Sequence, residues 1–145
     1  MTDDEVLRGR SIRTLAWLGD AIFEDEVRKR VALRGDYPID RLDAIKAAVV
    51  RAEAQAGLLD AIEPELEDDE QSVVQRARNA ATPAGARGRR TTKDYRAATA
   101  LEALVAHWRL VGDEGHARLD ALLMPRLDAL IDEALLRHAR RPKRG

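Results

Sequence analysis

"TLAWLGDAIFEDEVR", residues 14–28, decides how the rest of the chain is read. Leu15, Leu18, Ile22 and Phe23 recur at helical spacing, and Val27 and Val31 continue the stripe. The spacing predicts a helix over 11–33. Two residues cut across it. Gly19 in mid-helix costs roughly 1 kcal/mol against Ala. Asp20 shares a face with Ala16, Phe23, Glu24 and Val27. A carboxylate among apolar neighbours needs a partner, a cation or a proton.

A second helix, predicted over 93–111, repeats the arrangement. Glu102 lies between Ala98 one turn before and Ala106 one turn after, with Thr99 three residues upstream. Helices that each carry one acid framed by small residues can pack face to face. Their carboxylates would converge on a hard cation such as Mg²⁺, which takes one or two carboxylates and keeps several waters. The plainer alternative is that each acid is solvated or pairs with a nearby Arg.

The remaining chain supplies the setting. Its 145 residues suit one domain, which we place at 1–138, followed by a basic tail at 139–145. Charged residues are 35% and aromatics 3%, a composition that favours helices over strands. With no cysteine, a thiolate metal site and a cysteine nucleophile are excluded. No signal peptide and no run of ~18 apolar residues is evident, so a cytoplasmic protein without a membrane span is expected. The fold class is all-α.

Further helices are expected over 41–62, capped by Asp40, within 63–81, and over 116–138, where Pro125 predicts a break or kink. "ATPAGARGRRTT", residues 81–92, reads as a loop. On periodicity alone Trp17 and Trp108 are core residues.

The net charge of −1 conceals a segregation. Residues 52–75 hold eight acids and no Lys or Arg. Residues 76–93 hold six bases (Arg76, Arg78, Arg87, Arg89, Arg90 and Lys93) and no acid. Such a stretch can track a phosphate backbone or can simply be solvated. Aromatics are too scattered for a single-strand stacking platform, so a duplex held by its phosphates is the better nucleic-acid partner.

"LAWLGDAIFE" resembles the first helix motif of the ribonuclease III family, and "TALEALVA" its second. Three stretches narrow the resemblance to the mini-ribonuclease III branch, which has the endonuclease domain without a double-stranded-RNA-binding domain. They are "AEAQA" (52–56), similar to its Ala-x-x-Gln-Ala segment, "QRARNA" (75–80), similar to Arg-Gly-Arg-Asn-Ala, and "YRAATALEAL" (95–104), similar to Tyr-x-x-x-Thr-x-x-Glu-Ala-Leu. Together they span about residues 14–123.

The resemblance implies the ribonuclease III endonuclease-domain helical fold in a homodimer with one site per subunit. It implies Mg²⁺-dependent cleavage of double-stranded RNA, with Mn²⁺ as a substitute, leaving 5′-phosphate and 3′-hydroxyl ends. The branch implies maturation of large-subunit ribosomal RNA precursor, compatible with a ribosomal-protein partner. Asp20 and Glu102 match the catalytic, metal-holding acids. Arg76, Arg78, Asn79, Arg87, Arg89, Arg90 and Lys93 become RNA-binding candidates. Trp17 stands where the family places an aromatic inserted into the partner subunit.

Departures are informative too. Ribonuclease III proper has acids at the positions of Ala16 and Thr99, which the mini branch also lacks. Ala77 replaces a Gly of the branch, and a positive φ there would strain it. Gln75 replaces a residue that is often basic. The rival readings are a non-catalytic RNA-binding or ribosome-associated protein that kept the fold, and a helical adaptor with no RNA role.

Overall fold

In this computed structural model, residues 1–81 and 89–139 are described, and every element they form is helical. In chain order these are α1 (Asp3–Arg8), α2 (Ile12–Arg34), α3 (Ile39–Val50), α4 (Ala52–Ile62), a 3₁₀ turn (Glu63–Glu65), α5 (Asp68–Ala80), α6 (Arg89–Leu110), α7 (Asp113–Arg118), a π turn (Leu119–Leu123) and α8 (Met124–Ala139).

Helix α6 is the centre. Ala97, Ala98, Ala100, Leu101, Ala103, Leu104, Val105, Ala106, Trp108 and Leu110 are all buried, so it is apolar nearly all round. Its many alanines let α2, α4 and α5 pack close on separate sides. Of the stripe predicted for α2, Leu15, Phe23, Val27 and Val31 are buried, while Leu18 and Ile22 are half-buried. Its C-terminal half is tied to α8. Arg30 Nη1 donates to both oxygens of Asp128 at 2.9 and 3.0 Å, and Arg34 reaches Asp128 and Asp132, each at 3.0 Å.

Several expectations need correction. The helix expected over 41–62 is two helices. Arg51 is extended (φ −63°, ψ 154°) between them, with neither Gly nor Pro to announce the break. Asp40 is not the cap. Helix α3 starts at Ile39 after Pro38, and Asp40 sits in its first turn, where its charge favours the helix dipole. Helix α6 begins at Arg89, inside the predicted loop. The terminal helical run starts at Asp113, just after Gly112 (φ 87°) has closed α6. Pro125 does not break that run. Instead the Met124 N–H reaches back five residues to the Leu119 carbonyl, and the π turn absorbs the misfit just before proline. Helix α1 was not anticipated, although Thr2 and Glu5 form a capping box around its first turn.

Glu70 knots three elements together. Its side chain lies on α5 and is 2% exposed. It accepts from Trp108 Nε1 of α6 at 2.6 Å, from Arg118 of α7 at 2.6 and 2.9 Å, and from the Glu67 N–H at 2.8 Å. Burial alone would raise its pKa. The Arg118 guanidinium and the other donors overcome burial and lower it to about 2.

A carboxyl depressed from its ordinary 4.5 adds stability above pH 4.5 and loses that contribution as pH falls toward 2. Glu70→Gln is expected to destabilise the fold by about 2–3 kcal/mol at neutral pH. In urea denaturation the gap between the two proteins should close between pH 4.5 and 2. A gap that stays constant over that range would contradict the role given to Glu70.

Candidate active site

Helices α2 and α6 meet at Gly19. A β-carbon at residue 19 would overlap the backbone carbonyl of Glu102. The glycine that costs α2 some helix stability is therefore what allows the contact. The next residue along α2 is Asp20, so the contact sets the Asp20 and Glu102 carboxylates together.

The environment of the pair is asymmetric. Asp20 is exposed and Glu102 is partly buried. Burial pushes the Glu102 carboxyl up to about 8, and the Asp20 charge and a hydrogen bond with Asp20 push it the same way. A hydrogen bond from Gln55 pulls weakly in the other direction. Two carboxyl groups this close disfavour a second negative charge, which adds to the effect of burial.

The pair opens into a cleft of about 550 Å³ whose walls include Arg13, Trp17, Gln55, Tyr95 and Thr99. Ala16 and Thr99, the positions where carboxylates are absent, also line it. The Thr99 hydroxyl donates to the Tyr95 carbonyl at 2.9 Å, which leaves its lone pairs free to accept. Arg13 Nε donates to the Ala80 carbonyl at 3.1 Å, joining the start of α2 to the end of α5 beside the cleft. Among the described residues, no group of three or more His, Asp or Glu side chains is gathered for a metal. One chain thus offers a pair of acids.

A second groove, of about 590 Å³, runs between α5 and α6 and is lined by Gln75, Arg78, Asn79, Thr92, Lys93 and Arg96. It brings three of the sequence candidates together: Arg78, Asn79 and Lys93. Arg78 is held in a bidentate pair with Glu63, at 2.7 and 3.0 Å. Asn79 accepts from Gln75 at 3.1 Å. Arg76 is exposed on α5 and is not part of this groove's wall. Arg87 lies outside the described residues, as do the side chains of Arg89 and Arg90. Ala77 is 1% exposed, and no described residue other than glycine has positive φ, so Ala77 carries no such strain.

The two tryptophans part company. Trp108 is 1% exposed, as periodicity predicts. Trp17 is 77% exposed, which overturns its reading as a core residue of the single chain. Periodicity placed no site role on Gln55, Arg13 or Arg96. Each had a signal. Gln55 heads the buried stripe Gln55, Leu58, Leu59, Ile62, where a polar residue is the anomaly. Arg13 stands two turns before Asp20 on the same face, and Arg96 is three residues after Lys93.

The ribonuclease III domain profile matches residues 13–113, a segment containing both acids, the cleft and the α5–α6 groove. The chain belongs to the ribonuclease III family. Its relatives place it on the mini branch. It is 42% identical over 100 residues to the mini-ribonuclease 3 of Desulfitobacterium hafniense, covering 68% of this chain and 62% of that protein. It is 41% identical over 99 residues to that of Symbiobacterium thermophilum, covering 68% and 75%. The crystal structure of protein FN1578 from Fusobacterium nucleatum is similar with a TM-score of 0.69 at 29% identity, over 86% of this chain and 99% of that one. The all-α architecture is thus that of the ribonuclease III domain, and the domain is of endoribonuclease type.

Gly19→Ala is expected to cost about 3 kcal/mol or more, because the intruding methyl meets backbone that cannot rotate away. Gly57→Ala, in mid-α4 with open space around it, should stabilise by about 0.5–1 kcal/mol. Thermal unfolding of the two variants checks the pair. Equal shifts in the same direction would contradict the close approach of α2 and α6.

Proposed function

We propose that this protein is an endoribonuclease that hydrolyses double-stranded RNA with a divalent cation. The cation would be Mg²⁺, with Mn²⁺ as a substitute, and the products would be 5′-phosphate and 3′-hydroxyl ends. The reading rests on one observation above the others: two carboxylates from different helices, Asp20 and Glu102, share one cleft.

The donor set suits the cation. Asp20 and Glu102 present hard carboxylate oxygens, the ligands that Mg²⁺ and Mn²⁺ favour, and burial together with the Asp20 charge raises the Glu102 pKa. When bound, such a cation activates water and offsets charge on the scissile phosphate. Asp20, exposed in the cleft lining, would orient a water for attack on a bound phosphate. Thr99 can accept a hydrogen bond from a second water. Lys93, Arg96 and Asn79 grip phosphate oxygens along the α5–α6 groove, and Glu63 fixes the Arg78 guanidinium at its edge.

Two further parts of the reading are carried by the branch. The working form is a homodimer in which Trp17 buries its indole in the partner subunit, which accounts for a large aromatic left 77% exposed on one chain. The substrate is the precursor of large-subunit ribosomal RNA, in the cytoplasm, with a ribosomal protein as a candidate accessory.

Purified protein is to be incubated with structured precursor ribosomal RNA, with and without Mg²⁺. Cleavage is expected only with the cation. Asp20→Asn and Glu102→Gln should lower the rate by more than the roughly 10–100-fold typical of changes around a metal's ligands, while RNA binding is largely kept. Near-normal cleavage by either variant would overturn the assignment. RNA binding without any cleavage by the wild type would favour the non-catalytic reading. Separately, Trp17→Glu should sediment as a folded monomer at concentrations where the wild type is a dimer. A dimer that survives the change would remove Trp17 from the interface.

A further inference from the structure

Gln55 is a buried polar residue with no task in the mechanism above. Its side chain is 4% exposed and occupies the first position of a core stripe that Leu58, Leu59 and Ile62 continue. Its Nε2 donates to the Val50 carbonyl at 2.8 Å. That carbonyl ends α3, where the intrahelical partners run out. Glu102 lines the same cleft as Gln55. The other end of the amide is unprovided for. Gln55 Oε1 is buried and has no hydrogen-bond partner among the described residues.

A buried acceptor left unpaired is destabilising, a cost that leucine at the head of this stripe would avoid. The residue lines the cleft that holds Asp20 and Glu102. A small divalent cation held by two carboxylates keeps several waters, and their hydrogens need acceptors.

We propose that Gln55 is a positioning residue of the cation site: its amide N–H is anchored on the Val50 carbonyl, and its orphaned Oε1 accepts a hydrogen bond from a water carried by the bound cation. The inference rests on the divalent-cation reading of Asp20 and Glu102 and goes beyond it. The competing account makes Gln55 a cap for α3 and nothing more.

Mn²⁺ is titrated calorimetrically into RNA-free wild type, Gln55→Leu and Gln55→Glu, with circular dichroism confirming that each is folded at the working temperature. Gln55→Leu removes both donor and acceptor, and its Mn²⁺ affinity is expected to fall by about 10–100-fold. Gln55→Glu keeps an acceptor oxygen at the same reach and should bind Mn²⁺ at least as tightly as the wild type, although it loses the bond to Val50 and melts earlier. A cap alone predicts lower melting temperatures with unchanged Mn²⁺ affinity in both variants, and that result overturns the inference while leaving the cation site standing. Should Gln55→Leu fail to fold, Gln55→Met, which also lacks the amide, takes its place: Mn²⁺ affinity equal to that of the wild type contradicts the acceptor role. Wild-type protein that binds no Mn²⁺ would remove the cation reading itself, a different failure with a different signature.

Discussion

Helices α2 and α6 can approach as they do only because residue 19 has no side chain. A β-carbon there would overlap the Glu102 carbonyl. The contact is made on α6, the helix around which α2, α4 and α5 all pack, so it fixes the register of the bundle. It also fixes the site. Asp20 follows Gly19, and Glu102 supplies the very backbone that Gly19 touches. One steric constraint therefore serves packing and chemistry together, and the helix propensity lost at Gly19 is offset by the contact it permits.

Two glutamates show how environment separates scaffold from site. Both are withdrawn from water, and for both burial is the largest influence and acts upward. Glu70 is surrounded by donors from Arg118, Trp108 and the Glu67 backbone, and it is lowered to about 2. It is a satisfied structural knot. Glu102 faces another carboxylate and receives one amide, and it is raised to about 8. An acid held in that state costs stability unless something positive arrives, which is the mark of a site rather than of a scaffold. The same contrast separates Arg78, committed to Glu63, from Lys93 and Arg96 across the groove.

The sequence made the long periodic elements legible. The stripe of α2 follows from helical spacing, as does the placing of Glu102 between small residues on α6. The two acids were legible as anomalies on their helices, and the family resemblance turned anomalies into a candidate site. Other features left no periodic trace. The break at Arg51 arises where Val50, Arg51 and Ala52 carry no turn residue, so a continuous helix was the natural reading. Pro125 signalled a kink, but a π turn takes up the strain over neighbouring backbone that sequence spacing does not reveal. Gln55 illustrates the limit most clearly. A lone polar residue in a core stripe is visible in sequence, but its partners lie on α3 and α6 and appear only once those helices are in place.

The central claim is that Asp20 and Glu102, joined by the Gly19 contact, form one cation site. Anomalous diffraction from crystals soaked in Mn²⁺ tests it most directly. The account predicts a peak about 2.0–2.2 Å from a carboxylate oxygen of each residue. Strong Mn²⁺ density elsewhere, with none between these two carboxylates, would contradict it.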